Sequence, residues 1–245
     1  MEDLMTKNIG EIVAANYRTA QIFKNHKIDF CCKGNRSIQE VAEKNKLDAA
    51  MLLQEIESVQ NMTNDEGIDF HSWALDLLAD YVEKKHHRYV EQQTPILQQY
   101  LAKLCRVHGD RHPELFEITE HFNASAEDLG MHMKKEEAIL FPAVRKMVQA
   151  RQTGSQMDKP HFGTIQNPIQ MMMAEHETES DRFRLIDALS NNYTPPADAC
   201  NTYRVTFSLL QEFEDDLHRH IHLENNILFP KAEALEKEMS TTATA

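Results

Sequence analysis

Two stretches of this chain place metal-ligating side chains at helical spacing. Residues 132–142 read HMKKEEAILFP and residues 220–230 read HIHLENNILFP, so both fit H-x-x-x-E-x-x-I-L-F-P, 88 residues apart. Side chains four apart share one face of a helix, which pairs His132 with Glu136 and His220 with Glu224. The apolar stripe of the first repeat is Phe122, Leu129, Leu140 and Ala143; that of the second is Phe213, Leu217, Ile227 and Leu228. Both pairs therefore face inward, where titratable groups are costly unless paired or bound to a metal.

Two further histidines lie on stripes of the same kind. His86 follows Leu78 and Val82, and His176 accompanies Ile169, Met172, Met173 and Phe183. His87 is adjacent to His86, but its helical neighbours include Asp80, Glu83 and Glu91, so the inward role is assigned to His86, with His87 as the alternative. Four imidazoles and two carboxylates suit iron, manganese or zinc. Shared among two ions, each would take two imidazoles, with Glu136 and Glu224 bridging. One H-x-x-x-E is common on helices; its recurrence with its flank is what points to a site. A ferritin-like centre would need a second Glu-x-x-His besides Glu83-x-x-His86, and no inward copy is found. His108 and His112, beside a Gly-Asp-Arg loop, are assigned to solvent, and Cys105 and Cys200 to inert positions.

Cys31 and Cys32 are adjacent in a glycine-containing turn, Asp29 to Arg36. A bridge between neighbours is strained, so two thiols presented together are better suited to redox exchange or to capturing a soft ligand. Lys33 and Arg36 are expected to favour the thiolate.

The elements that must position these groups are helices. Seven glycines and eight prolines punctuate 245 residues rich in Glu, Lys, Ala, Leu, Met and Gln, and the fold class is all-α. Residues 1–62 are assigned to a small helical domain, with Asn8 and Asp48 as N-caps and Ser37-Ile-Gln-Glu40 as a capping box. Residues 61–71 are a polar linker; residues 70–237 form a four-helix bundle, and 238–245 a disordered tail. Pro95 is expected to kink or interrupt the first long helix. The net charge of −13 repels phosphate backbones, which excludes nucleic acid as a partner. No apolar run approaches the roughly 20 residues that cross a bilayer, and the acidic amino terminus is no secretory signal. Four cysteines fit a reduced, cytoplasmic protein.

The Asp29-Phe-Cys-Cys-Lys-Gly34 turn, the two H-x-x-x-E-x-x-I-L-F-P repeats and Thr194-Pro-Pro-x-x-x-Cys200 together resemble the repair of iron centres (RIC) di-iron proteins. The resemblance runs from Ile9 to Pro230 and implies a haemerythrin-like bundle behind a Cys-Cys domain. It implies two iron ions per chain, oxo- and carboxylate-bridged, on His86, His132, Glu136, His176, His220 and Glu224, with Cys31 and Cys32 relaying iron or nitric oxide. The function implied is restoration of iron–sulfur clusters damaged by nitric oxide or oxidants, by a homodimer acting on damaged or apo iron–sulfur proteins, with nitric oxide or dioxygen as small ligand. An iron donor is expected rather than a turnover enzyme. The rivals are a haemerythrin-like sensor of oxygen, nitric oxide or iron, and a di-iron nitric oxide reductase.

Overall fold

The computed structural model describes residues 2–60, 68–155 and 160–242. The linker residues 61–67 and the last residues 243–245 lie outside these.

Five short helices form the amino-terminal domain: α1 (Glu2–Thr6), α2 (Ile9–Ala15), α3 (Ala20–Asn25), α4 (Ile38–Asn45) and α5 (Ala49–Gln60). Their starts follow local hydrogen-bond chemistry. Ser37 and Glu40 form the reciprocal capping box, and Asp48 Oδ1 accepts from the Ala50 amide at 2.8 Å. Asn8 precedes α2 but makes no side-chain cap; it pairs with Ser37 across an isolated bridge instead. That bridge, with Ile9 N–H donating to Arg36 and Gly10 N–H to Gly34, ties the cysteine turn to the start of α2.

The bundle follows as four long helical columns. The first joins α6 (Leu75–Tyr81) to α7 (Arg88–His108), and the second joins α8 (Glu114–Lys135) to α9 (Phe141–Thr153). The third is α10 (Gln166–Leu189), and the fourth joins α11 (Asn201–Leu223) to α12 (Phe229–Thr242). Three columns contain a π-helical turn, at Val82–His87, Glu136–Leu140 and Glu224–Leu228. Such turns interpolate a residue and recur at functional sites.

Helix α8 packs between α7 and α10, α7 packs on α11, and α11 meets α10, which closes the ring. Its interior is two apolar clusters. One contains Val90, Leu129, Met133, Phe183, Leu217 and Ile221, and extends into the amino-terminal domain through Val13, Phe23 and Ile38. The other contains Val82, Leu140, Phe141, Met172, Ile227 and Leu228. Each such side chain contributes about 1.5–3 kcal/mol when fully buried, so the clusters fix the columns on both sides of the polar layer between them.

Three segments differ from the sequence expectations. Phe70, assigned to the linker, is buried against Trp73 and Tyr81, with ring centroids at 4.8 and 5.1 Å. Helix α7 continues through Pro95; Glu91, whose carbonyl loses its helical partner, is exposed, so water can serve it. Helix α12 reaches Thr242 and takes in residues 238–242 of the expected tail, where the Ser240 hydroxyl donates to the Glu236 carbonyl. The run Glu233-Ala-Leu-Glu-Lys-Glu-Met is strongly helix-forming and carries the helix outward.

Candidate metal centre

The layer between the apolar clusters is where the predicted histidines and glutamates meet. His132, Glu136, His176 and Glu224 form one grouping, and His87, Glu136, His220 and Glu224 form another. All are buried, and within each grouping the ligand atoms lie within 4.8 Å of one another. His132 Nε2 and His87 Nε2 each stand 3.3 Å from Glu136 Oε2. His176 Nε2 and His220 Nε2 stand 3.1 and 3.2 Å from Glu224 Oε2. Nitrogen and oxygen ligands about 2.1 Å from one ion are separated by roughly 3–4 Å, so these spacings fit.

The unsatisfied atoms point the same way. His87 Nε2, His220 Nε2 and all four oxygens of Glu136 and Glu224 are buried without a hydrogen-bond partner. Native interiors do not tolerate such a concentration of orphans, which is what a cation would resolve. Burial alone would push both carboxyls up. The facing imidazoles prevail: His132 and His87 hold Glu136 below the usual carboxylate range, and His220 and His176 hold Glu224 well below it. Ionised carboxylates are the form that binds metal.

The outer nitrogens orient the rings. His87 Nδ1 lies 2.9 Å from Glu137 Oε1, His132 Nδ1 2.9 Å from Glu175 Oε2, and His176 Nδ1 2.9 Å from Asn225 Oδ1. Holding Nδ1 in this way directs Nε2 inward, toward Glu136 and Glu224, where an ion would be held. His220 has no such partner; its Nδ1 is buried and unbonded.

The two repeats therefore do more than supply ligands. In the first, Glu137 holds His87 and Phe141 stacks on its ring at 5.5 Å. In the second, Asn225 holds His176 and Phe229 stacks on its ring at 5.9 Å, with planes 1° apart. Each H-x-x-x-E-[EN]-x-I-L-F-P stretch bonds and packs a histidine on a neighbouring column. The sequence reading missed Glu137, Glu175 and Asn225; the flank beyond each glutamate was the signal for Glu137 and Asn225, whereas Glu175 lies outside both repeats.

Of the six predicted ligands, the structure brings five together: His132, Glu136, His176, His220 and Glu224. Beside them lies His87, whereas the predicted His86 is in neither grouping. His86 is also fully buried, with Nδ1 3.0 Å from Asp216, Nε2 without a hydrogen-bond partner and its ring stacked on His220 at 5.8 Å. The π turn Val82–His87 causes the difference: it carries the chain one residue further per turn than the α-helical count from Leu78 and Val82 assumes. Behind His86, a cleft of about 760 Å³ separates the amino-terminal domain from the bundle; Tyr17, Lys24, Tyr89, Asp215, Asp216 and Arg219 are among its walls.

The cysteine turn sits against the bundle. Asp29 Oδ1 accepts from the Cys32 amide at 2.9 Å, and Cys32 Sγ lies 3.2 Å from Ser180 Oγ on α10. Asp29, Cys31 and Cys32 form a third cluster of potential ligands. The expectation that Lys33 and Arg36 favour the thiolate is corrected for Cys31. Arg36 is spent on the carbonyls of Asp29 and Lys33, and Lys33 pairs with Glu177. A hydrogen bond with Cys32, burial and the Asp29 carboxylate push the Cys31 thiol well above its usual range. His108, expected in solvent, is buried with Nε2 3.2 Å from Cys200 Sγ, because α7 runs on to include it.

Residues 78–232 match the haemerythrin HHE cation binding domain, and residues 5–60 match a domain of unknown function, DUF542. Among curated proteins, the chain is 32% identical over 230 residues to the iron-sulfur cluster repair protein YtfE of Yersinia pseudotuberculosis serotype O:1b (strain IP 31758), covering 94% of this chain and 98% of that one. It is 33% identical over 226 residues to the protein of the same name from Musicola paradisiaca (strain Ech703), covering 92% and 96%. The helical bundle, its buried His/Glu layer and these end-to-end matches converge: the chain belongs to the haemerythrin HHE family and, within it, to the iron–sulfur cluster repair proteins.

Proposed function

We propose that this chain repairs damaged iron–sulfur clusters, donating iron from a two-ion centre held by His87, His132, Glu136, His176, His220 and Glu224. The observation that carries the reading is that two ligand groupings share Glu136 and Glu224, within one core with a docked thiol turn. Each grouping offers two imidazoles and two shared carboxylates, which leaves positions open on ions that accept up to six ligands. Iron there supplies redox and Lewis-acid chemistry. The chain's own part is to keep both carboxylates ionised, to hold three imidazole rings by Nδ1 and to exclude bulk water with Phe141 and Phe229. The Asp29-Cys31-Cys32 cluster supports a relay role for Cys31 and Cys32, as a second stop for iron or nitric oxide on its way to a damaged or apo iron–sulfur protein. No helix among the described residues is long and apolar enough to cross a membrane. We place the reaction in the cytoplasm, where thiols stay reduced, and infer a homodimer.

Metal analysis of protein purified without oxygen tests the centre. Two irons per chain are expected, with loss of iron in Glu136→Ala; zinc alone, or no metal, overturns it. Repair is tested by mixing the iron-loaded chain with a dehydratase whose cluster nitric oxide has damaged. Recovery of dehydratase activity is expected, and it should fail with Glu136→Ala. The open positions favour one second reading, an enzyme that reduces nitric oxide. Repeated turnover with a reductant and no acceptor protein would select it.

A further inference from the structure

Positions 137 and 225 are equivalent in the two repeats, yet one is Glu and the other Asn. Glu137 Oε1 accepts from His87 at 2.9 Å and from Arg88 at 3.5 Å and has no donor role to fill. Asn225 accepts from His176 Nδ1 at Oδ1, and its Nδ2 donates to the Cys31 carbonyl at 3.3 Å. A carboxylate could hold the imidazole equally well, as Glu137 and Glu175 do, but would set an oxygen against a carbonyl oxygen. An amide accepts at one end and donates at the other.

The next residue adds a second tie. Asn226 Nδ2 donates to the Cys31 carbonyl at 3.0 Å and to that of Phe30 at 3.4 Å. Its Oδ1 occupies the space where a side chain on Gly10 or Gly34 would begin: a Cβ there would lie 2.2 or 2.4 Å away. Both asparagines belong to the π turn that starts at Glu224.

We propose that Asn225 is a positioning residue that couples His176 to the Cys31-Cys32 turn, with Asn226 anchoring the turn beside it. Metal on His176 fixes the ring with Nδ1–H outward, which orients the Asn225 amide and holds the turn closed. By reciprocity, opening the turn frees Asn225 and loosens His176. The thiol pair thus senses whether the centre is loaded. The inference rests on His176 being a metal ligand and is independent of the repair reaction.

The test uses the full chain, apo and loaded with Zn(II) as a redox-silent metal, and follows alkylation of Cys31 by iodoacetamide through peptide mass spectrometry. In the unaltered protein, loading should slow Cys31 alkylation roughly fivefold or more. Asn225→Asp keeps the acceptor for His176 and loses the donor to Cys31, so it should still bind zinc but lose that metal-dependent protection. Asn226→Ala leaves His176 untouched and should weaken the protection. If Asn225→Asp keeps full protection, or the unaltered protein shows none with zinc bound, the coupling is wrong and the metal centre stands. If zinc does not bind at all, both fall. A merely structural role would change apo and loaded rates alike, and that result also overturns the proposal.

Discussion

His176 Nε2 and His132 Nε2 face each other at 3.1 Å while both outer nitrogens are already engaged. With both Nδ1 atoms donating, two lone pairs would oppose each other unless one ring is doubly protonated or a cation lies between them. On the other grouping, the choice between adjacent histidines is open to experiment. His87→Ala should remove about half or more of the bound iron, because it deletes one of the two imidazoles on that ion. His86→Ala should keep the iron, since neither ligand grouping includes His86. Metal analysis of the two variants decides, and the reverse pattern would restore His86 as the ligand. A different residue gives a pH signature away from the metal. Burial pushes Glu214 up to about 7, against the opposing pull of Lys24 at 3.6 Å. A carboxyl whose pKa is raised on folding from its ordinary 4.5 stabilises most below 4.5, and the benefit is lost as pH rises through about 7. Glu214→Gln should therefore leave stability near pH 5 little changed and raise it near pH 8 by about 1–3 kcal/mol, seen in thermal melts. No gain at pH 8 would mean that Lys24 already compensates the buried charge.

At the scale of elements, the π turns decide which side chains reach the centre. Without a turn at Val82–His87, the α-helical count from Val82 lands on His86; with it, His87 enters the ligand grouping and Val90 still returns to the core. Deleting Lys85, an exposed residue within that turn, would let the column close into regular α-helix. Helicity by circular dichroism and iron binding should both be kept, because His87 then stands four residues and Val90 seven after Val82, on one face of a regular helix. Loss of iron would show that the π geometry itself, and not only the register of His87, is needed. This explains what was legible in the sequence. The all-α class, the bundle and five ligands follow from a 3.6-residue period, which holds for α8, α10 and α11 up to each glutamate. His87 was lost because three columns depart from that period where the chemistry is. Asn225 and Glu137 were visible only as flanking letters, since their partners lie on other columns. Phe70 and the helical residues 238–242 were missed because polar neighbours outweighed one anchoring ring and a strong run of helix formers.

For the whole molecule, the question is what keeps the thiol domain on the bundle. Exposed ion pairs such as Lys33–Glu177 and Arg184–Asp29 contribute about 0–1 kcal/mol each and weaken with salt. The stronger ties are buried. Phe30 and Tyr17 pack on His222, each at 5.8 Å, Arg219 lies over the Tyr17 ring at 4.2 Å, and the apolar cluster runs unbroken from Val13 and Phe23 into Leu217. Burial drives the His222 pKa down to about 3, so that ring stays neutral between pH 5 and 8. The close approach of Gly34 to Gly10 and Asn226 is the point where docking can be tested alone. A Cβ on Gly34 would meet Asn226 Oδ1 at 2.4 Å, the Phe30 carbonyl oxygen at 2.5 Å and Gly10 Cα at 3.0 Å. Two of these are backbone atoms, so a rotamer change cannot relieve the overlap and the turn must move off α11. Gly34→Ala should therefore keep the helix content of the bundle while exposing Cys31, now 4% accessible, to alkylation. Iodoacetamide labelling should accelerate severalfold and show little dependence on salt, because apolar and amide contacts, rather than surface charge, hold the domain. Labelling at the unaltered rate would mean that the turn absorbs the methyl group in place and that the domain is held elsewhere.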